Sequence, residues 1–315
     1  MHGKTAVIAI GGNSLIKDSK HPSIIDQNLV INEVSLHIAN IVKSGWNVII
    51  GHGNGPQVGF VLRRSELASS ELPQIPLDAC VANTQGKMGY LIQQNLINHF
   101  YQLGIDKCIT TIITQVEVDP NDKAFKNPTK PIGTFMSRIE ALRHFNEDGW
   151  NVIEDSGRGW RRVVPSPMPI RIVEGNVIKR LVDMGIVVIA VGGGGIPVVR
   201  DGNNYLRGIP AVIDKDYATA MLASMVGADL FMLCTSVDKV ALNFGKPNQK
   251  WLDHLYLAQA KEYLAEGSHF SAGSMKPKIQ AAVNYLEAGG MKAIITSPEN
   301  MELALDGETG TLVTT

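Results

Sequence analysis

Short, β-branched apolar runs recur along this chain, several of them passing straight into glycine and then into segments of helical periodicity. The runs are Thr5–Ile10 (TAVIAI), Asn47–Ile50 (NVII), Cys108–Val118, Ile186–Val191 (IVVIAV), Leu230–Cys234 (LFMLC) and Lys292–Thr296 (KAIIT). Runs that are apolar throughout suit strands covered on both faces. Between them, Gln27–Ser44, Asp78–Leu103, Gly175–Met184 and Gly273–Ala288 carry apolar residues at helical spacing, and glycine follows each as a stop signal. Strand–helix alternation of this kind predicts an α/β fold with a mostly parallel sheet and helices on both faces. Over 315 residues, that means one large α/β domain or about two smaller ones.

One stretch breaks the rhythm. Residues 119–169 are rich in Pro, Lys, Asn and Arg and include Asn127-Pro128-Thr129-Lys130-Pro131-Ile132-Gly133 and Arg161-Arg162-Val163-Val164-Pro165-Ser166-Pro167. A regular βαβ unit has no use for it, so it reads as an inserted subdomain or lid. No repeat or low-complexity segment occurs, and the periodic pattern runs on to Leu312-Val313.

Charge and cysteine content exclude several classes. The 29 Lys and Arg nearly balance the 30 Asp and Glu, which leaves no basic footprint for nucleic acid or an anionic membrane. Cys80, Cys108 and Cys234 are far apart and odd in number, and each lies in an apolar segment. They read as small core residues in a reducing compartment, not as a disulfide framework or a zinc site. The N-terminal apolar run is too short for a signal peptide, and no run approaches transmembrane length. The expectation is a cytoplasmic enzyme.

Three glycine-rich turns follow strands: Gly11-Gly12-Asn13-Ser14, Gly51-His52-Gly53-Asn54-Gly55-Pro56 and Gly192-Gly193-Gly194-Gly195. Glycine there lets backbone N–H groups come close to a ligand. Parallel sheets bind ligands outside the carboxyl ends of their strands, so three such turns at one edge predict a phosphate or carboxylate site. Gly11, Gly12, Asn13, Gly53, Asn54 and Gly55 are its candidate residues. There is no G-x-x-x-x-G-K-[ST], G-x-G-x-x-G, G-x-S-x-G or H-E-x-x-H motif, and the eight histidines lack metal-ligand spacing. His52 alone lies in a glycine turn, where it can orient the loop.

Lysines carry the rest. Lys215 stands in Ile213-Asp214-Lys215-Asp216 at a helix entry, Lys278 in Gly273-Ser274-Met275-Lys276-Pro277-Lys278 at another, and Lys130 in the inserted segment. Phosphoryl transfer needs positioning and cations around the transferred group, with little covalent chemistry. Spacing does not separate Lys278 from Lys276. Asp216 can hold Lys215 or meet Mg²⁺ through water, whereas Asp214 fits an N-cap.

At these residues the chain resembles carbamate kinase, of the amino acid kinase superfamily. The matching segments include Gly11-Gly12-Asn13, His52-Gly53-Asn54-Gly55-Pro56-Gln57-Val58-Gly59, Thr84-Gln85-Gly86, Thr114-Gln115-Val116, the Pro128–Gly133 and Gly159–Pro167 runs, Gly193–Val198, Val212–Asp216, and Gly273-Ser274-Met275 with Pro277-Lys278. The resemblance implies a three-layer αβα fold with an eight-stranded, mostly parallel sheet and a protruding subdomain at 119–169. It further implies an acceptor lobe over 1–213 and a nucleotide lobe over 214–315. Residue Ala9 stands where other superfamily members carry a catalytic lysine, and the protruding subdomain supplies Lys130 instead. Lys215, Lys278 (over Lys276) and Asp216 take the remaining catalytic places. Thr235, Val237, Asp238 and Met275, with Lys215 and Lys278, take nucleotide-binding ones, and no residue is assigned as a metal ligand.

The activity implied is reversible, Mg²⁺-dependent transfer between ATP and carbamate, giving ADP and carbamoyl phosphate, often run toward ATP in arginine breakdown, by a homodimer. The other readings are a kinase for another small carboxylate and a non-enzymatic paralogue that binds nucleotide or carbamoyl phosphate. The chain departs from the family pattern at Ser236, where many members have Asp, at Ala272, where many have Pro, and at Lys276. Arg207-Gly208-Ile209-Pro210 replaces a more acidic stretch, expected near the nucleotide.

Overall fold

This computed structural model describes residues 3–12, 15, 23–155, 157, 159–271 and 273–315. Its frame is one eight-stranded sheet built from β1 (Thr5–Ile10), β2 (Asn47–His52), β3 (Ile109–Thr111), β4 (Val187–Ile189), β5 (Leu230–Cys234), β6 (His254–Tyr256), β7 (Ala293–Thr296) and β8 (Thr311–Thr314). The strand order is β6-β8-β7-β5-β1-β2-β4-β3. Every neighbouring pair is parallel except β7 with β8.

The helices are α1 (Ile24–Lys43), α2 (Gly55–Leu67), α3 (Leu77–Leu103), α4 (Arg138–Asp148), α5 (Gly175–Asp183), α6 (Lys215–Val226), α7 (Leu257–Glu266), α8 (Met275–Glu287) and α9 (Met301–Leu305). The two-residue period of a strand explains the layers. Ala6, Ile8 and Ile10 of β1 join Ile31 and Ile38 of α1 and Met88 and Ile92 of α3 in one core. Val7 and Ala9 join Ala218 of α6 and Ile279, Ala282 and Tyr285 of α8 in the other. Each fully buried isoleucine contributes ~1.5–3 kcal/mol over an exposed one, so an apolar β1 sandwiched between helix layers is the stable arrangement. The fold is the three-layer α/β sandwich expected.

Two expectations need correction. The run Cys108–Val118 is not one strand: Ile109–Thr111 lies in the large sheet, while Gln115–Val118 joins a four-stranded sheet with Pro169–Ile172, Ile196–Arg200 and Leu206–Gly208. The Gln85 side chain of α3 breaks the run, bonding both the N–H and the carbonyl of Thr114. Cys80 and Cys234 are core residues, but Cys108 is exposed, because it precedes the edge strand β3.

Within the inserted segment, Lys130–Met136, Trp160–Val164 and Asn151–Glu154 form an antiparallel three-stranded sheet. Helix α4 connects two of these strands and opens on a capping box between Ser137 and Glu140. The sheet meets the body at α2. Val58 of α2 packs with Ile132, Val164 and Val212, and Arg162 Nη1 bonds Glu66 Oε1 at 2.7 Å. At the crossing, backbone lies on backbone: a Cβ on Gly59 would stand 2.0 Å from the Cα of Gly133.

Among the described residues, no helix is long and apolar enough to cross a membrane.

Candidate active site

The three glycine turns meet where β1, β2 and β4 end. A Cβ on Gly53 would lie 2.4 Å from the Gly12 nitrogen and 3.1 Å from Cδ of Lys215, so turns one and two touch each other and the lysine stem. Gly53 N–H also donates to the Ile10 carbonyl (2.8 Å). Turn three packs on turn two: the space a Cβ of Gly193 would fill holds the Asn54 side chain at 2.1 Å, and that glycine has φ +64°. Both facts require glycine there. Gly194 abuts the Ile213 carbonyl, one residue before Asp214.

Buried polar side chains fix these turns. Asn54 Nδ2 donates to Thr84 Oγ1 (2.7 Å), and Gln85 Nε2 donates to the carbonyls of Thr114 and Gly192. Thr114 Oγ1 accepts the Val191 N–H at 3.0 Å, which holds Val191 at φ 46°. A β-branched residue in that region is strained by ~1–3 kcal/mol, and such strain clusters at functional sites. His52 is buried against Gly192, and burial pushes its pKa down to about 4 despite the Gly53 carbonyl facing it. It therefore orients the loop as a neutral ring.

The charged residues form one connected group. Asp214 caps α6, its Oδ1 accepting the Asp216 N–H, while its Oδ2 accepts from Lys130 Nζ at 2.5 Å. The first turn of α6 presents Lys215 and Asp216, which pair with each other, and Asp216 Oδ2 also accepts from Lys278 Nζ of α8 at 2.9 Å. Three lysines thus face two aspartates, leaving one positive charge in excess.

Burial sets the protonation balance. It would raise Asp216, but Lys215 and Lys278 outweigh it and hold that carboxyl well below the usual carboxylate range. Burial opposes the Lys278 charge, yet the Asp216 carboxylate wins and holds its pKa up. Lys215 is pushed down to about 8 by burial, beyond what Asp216 restores, and the charge of Lys278 adds to the push. One carboxylate cannot neutralise two buried ammonium groups, so the site is built for a further anion.

Of the residues singled out from sequence, Lys130, Lys215, Asp216 and Lys278 come together with Gly12, Gly53 and Asn54. Gly11 precedes Gly12 in turn one, and Gly55 opens α2. Asn13 and Ala272 lie outside the described residues. Thr235 follows β5 and is buried, its N–H on the Thr296 carbonyl. Its neighbour Cys234 feels the charges of Lys215 and Lys278, though burial dominates and pushes the thiol up to about 12. Val237 is half-buried and Asp238 accepts from Asn300 Nδ2 at 2.8 Å, while Met275 opens α8 one turn before Lys278.

The stretch around Arg207 is not grouped with these: Arg207 bonds Asp201 and Gly208 abuts Asp78 of α3. Sequence reasoning treated Asp214 as a cap alone and missed it as the partner of Lys130. It gave no role to Thr84, Gln85 or Thr114, although they stand in the recognised segments.

Glycine turns at the carboxyl edge of a parallel sheet, beside Lys130, Lys215 and Lys278, form a candidate phosphoryl-transfer site, and residues 4–297 match the amino acid kinase family, whose members of the kinase class are phosphotransferases. The chain belongs to that family, and within it to the carbamate kinases. It is 50% identical to the carbamate kinase-like protein YahI of Escherichia coli (strain K12) over 309 residues, covering 97% of each chain. It is 46% identical to the carbamate kinase of Thermococcus kodakarensis, over 98% of this chain and 99% of that one. The carbamate kinase of Giardia lamblia bound to AMP-PNP superposes with a TM-score of 0.90 at 40% identity, over 99% of this chain and 98% of the other.

Proposed function

We propose that this protein is a carbamate kinase, transferring the γ-phosphoryl group reversibly between ATP and carbamate to give ADP and carbamoyl phosphate. The observation that carries this reading is the lysine–aspartate group Lys130–Asp214 and Lys215–Asp216–Lys278, set against the Gly12 and Gly53 turns. Its excess positive charge suits a phosphoryl group in transit.

In this reading the backbone N–H groups of turns one and two hold carbamate and the phosphoryl oxygens. Lys215 and Lys278 neutralise charge on the nucleotide side, and Lys130 approaches from the acceptor side. Carbamate is already an anion, so no general base is needed, in keeping with a centre made of lysines and their counter-ions. Residues 1–213 form the acceptor lobe, with 119–169 as its protruding subdomain, and 214–315 the nucleotide lobe, where Thr235, Val237, Asp238 and Met275 line the ADP site.

Mg²⁺ would accompany the nucleotide. All four carboxylate oxygens of Asp214 and Asp216 are engaged by lysines or a backbone N–H, and no cluster of three or more His, Cys, Asp or Glu suited to a metal occurs among the described residues. These residues therefore do not fit a protein-held ion. A homodimer fits the apolar residues that α1 and α3 expose, such as Ile25, Leu29 and Tyr101, and sedimentation would show a mass of two chains.

The direct test is ATP formation from ADP, Mg²⁺ and carbamoyl phosphate by the purified protein. Turnover of roughly 1–100 s⁻¹ or above supports the reading. Folded protein that binds ADP without turnover would favour the second reading, a binding paralogue or a kinase for another carboxylate. That reading draws on the carbamate kinase-like naming of the 50% identical relative and on Ser236 in place of Asp.

A pH profile adds a sharper check. Lys215 must be protonated to meet phosphate oxygens, and its pKa is lowered to about 8. The kcat/KM for nucleotide should therefore be flat below that pH and fall about tenfold per unit above it. Bound phosphate opposes the loss of the proton, so the kcat limb should lie at higher pH. A kcat/KM profile flat to pH 10 would remove Lys215 from phosphate binding.

A further inference from the structure

A cleft of about 140 Å³ lies between α2, α4 and the strand Lys130–Met136. None of Lys130, Asp214, Lys215, Asp216 or Lys278 lines it, so it is separate from the lysine centre. Its polar lining includes Arg63, Glu66, Glu140, Arg143 and Arg162. The two carboxylates are engaged: Glu66 with Arg162 at 2.7 Å, and Glu140 with the Ser137 N–H at 2.8 Å as the helix cap. Burial pushes the Glu66 carboxyl up against the pull of Arg162, and burial lowers Arg162 in turn, so that part of the cleft is poorly hydrated.

The other two guanidiniums are loosely held. Arg63 stands 3.7 Å from Glu66, beyond hydrogen-bond range, and Arg143 Nη2 lies 3.4 Å from the ring Nε2 of His144 and acts on Glu140 through charge without an ion-pair contact among the described residues. Each guanidinium carries five N–H donors in a planar fork that matches carboxylate and phosphate oxygens. Three arginines outnumber the two glutamates of the lining, while the Asp148 carboxylate lies behind His144, paired with its Nδ1 at 2.5 Å, and acts on Arg162.

We propose that this cleft binds a small carboxylate or phosphate anion between Arg63 and Arg143. The cleft is open on one side and has room for phosphate or a short dicarboxylate. The walls belong to two bodies: Arg63 rides on α2, and Arg143 on the helix that follows the Lys130 strand. Gly59 and Gly133, where those bodies touch, also line the cleft. A bound anion ties them together at the base of the strand that carries Lys130.

The test is isothermal titration calorimetry with inorganic phosphate and, separately, malonate, using wild type, Arg63→Gln/Arg143→Gln and Lys278→Met. Both arginines are exposed, so the double variant keeps its fold, which circular dichroism verifies. The expected result in wild type is two sites, one at the lysine centre that Lys278→Met weakens, and one that persists in Lys278→Met and weakens at least tenfold in the double arginine variant. The stronger of the two anions identifies the ligand class. Absence of saturable heat with either anion to tens of millimolar, loss of this second site in Lys278→Met, or its unchanged Kd in the arginine variant each overturns the proposal. Because the readout is binding, its outcome is independent of whether the protein turns over carbamoyl phosphate.

Discussion

Lys278→Met is expected to lower kcat at least ~10²-fold, the scale for losing one preorganised charge at a transition state, while the protein stays folded with nearly wild-type stability. Asp216→Ala is expected to be destabilised by about 3–5 kcal/mol as well as inactive. The asymmetry follows from the charge balance. Removing Lys278 leaves Asp216 paired with Lys215, a one-to-one buried pair, and methionine fills the vacated volume. Removing Asp216 leaves two buried ammonium groups with no carboxylate in direct contact, Asp214 being bonded to Lys130. Urea unfolding of both variants, alongside kcat for ATP formation, separates these outcomes. Near-wild-type turnover in Lys278→Met would make the group a structural ion-pair network, and comparable stability losses in the two variants would do the same. Lys215→Met belongs with Lys278→Met: its ammonium is already disfavoured by burial, so its removal costs turnover and not stability.

The site's legibility in sequence divides by distance along the chain. Lys215 and Asp216 could be read because both lie on the first turn of one helix, behind a capping residue. The layers could be read because β1 is apolar from Ala6 through Ile10 without alternation, as suits a doubly covered strand. Lys276 and Lys278 could not be separated by spacing, since both lie on the first turn of α8. Two residues at about 100° each put them on nearly opposite faces, and only the face turned to Asp216 makes the ion pair. Lys130 and its partner Asp214 are 84 positions apart, and a helix-capping aspartate has no local mark of a second, long-range bond. The break at Thr114 is made by a side chain 29 residues upstream. Valine is the last residue that propensity would place at φ 46°, so the strain at Val191 has no signal in sequence at all.

The second large effect is expected at a residue with no side chain and no contact with substrate. Gly59→Ala should lower kcat on the order of 10²-fold while leaving the protein folded. In a helix interior this change alone favours folding by roughly 0.5–1 kcal/mol. Here, however, the new methyl group would stand 2.0 Å from the Cα of Gly133 and 2.4 Å from its nitrogen. Neither atom belongs to a flexible side chain that could swing aside. The strand Lys130–Met136 must therefore move off α2 as a unit and carry Lys130 with it, and a displacement of ~1 Å at a positioned catalytic group costs about 10²-fold in rate. The nucleotide KM should change little, because Lys215 and Lys278 are held from α6 and α8, which this crossing does not touch. Gly133→Ala is the instructive contrast. That position has φ +72° but room for a methyl, the nearest atom being Gly59 Cα at 3.8 Å, so its penalty is backbone strain and should appear as lost stability more than lost turnover. Measuring kcat, KM and the urea midpoint on both variants decides the matter. A Gly59→Ala enzyme with wild-type kcat would mean that Lys130 does not act from this strand, and a KM rise without loss of kcat would place the crossing in nucleotide binding instead.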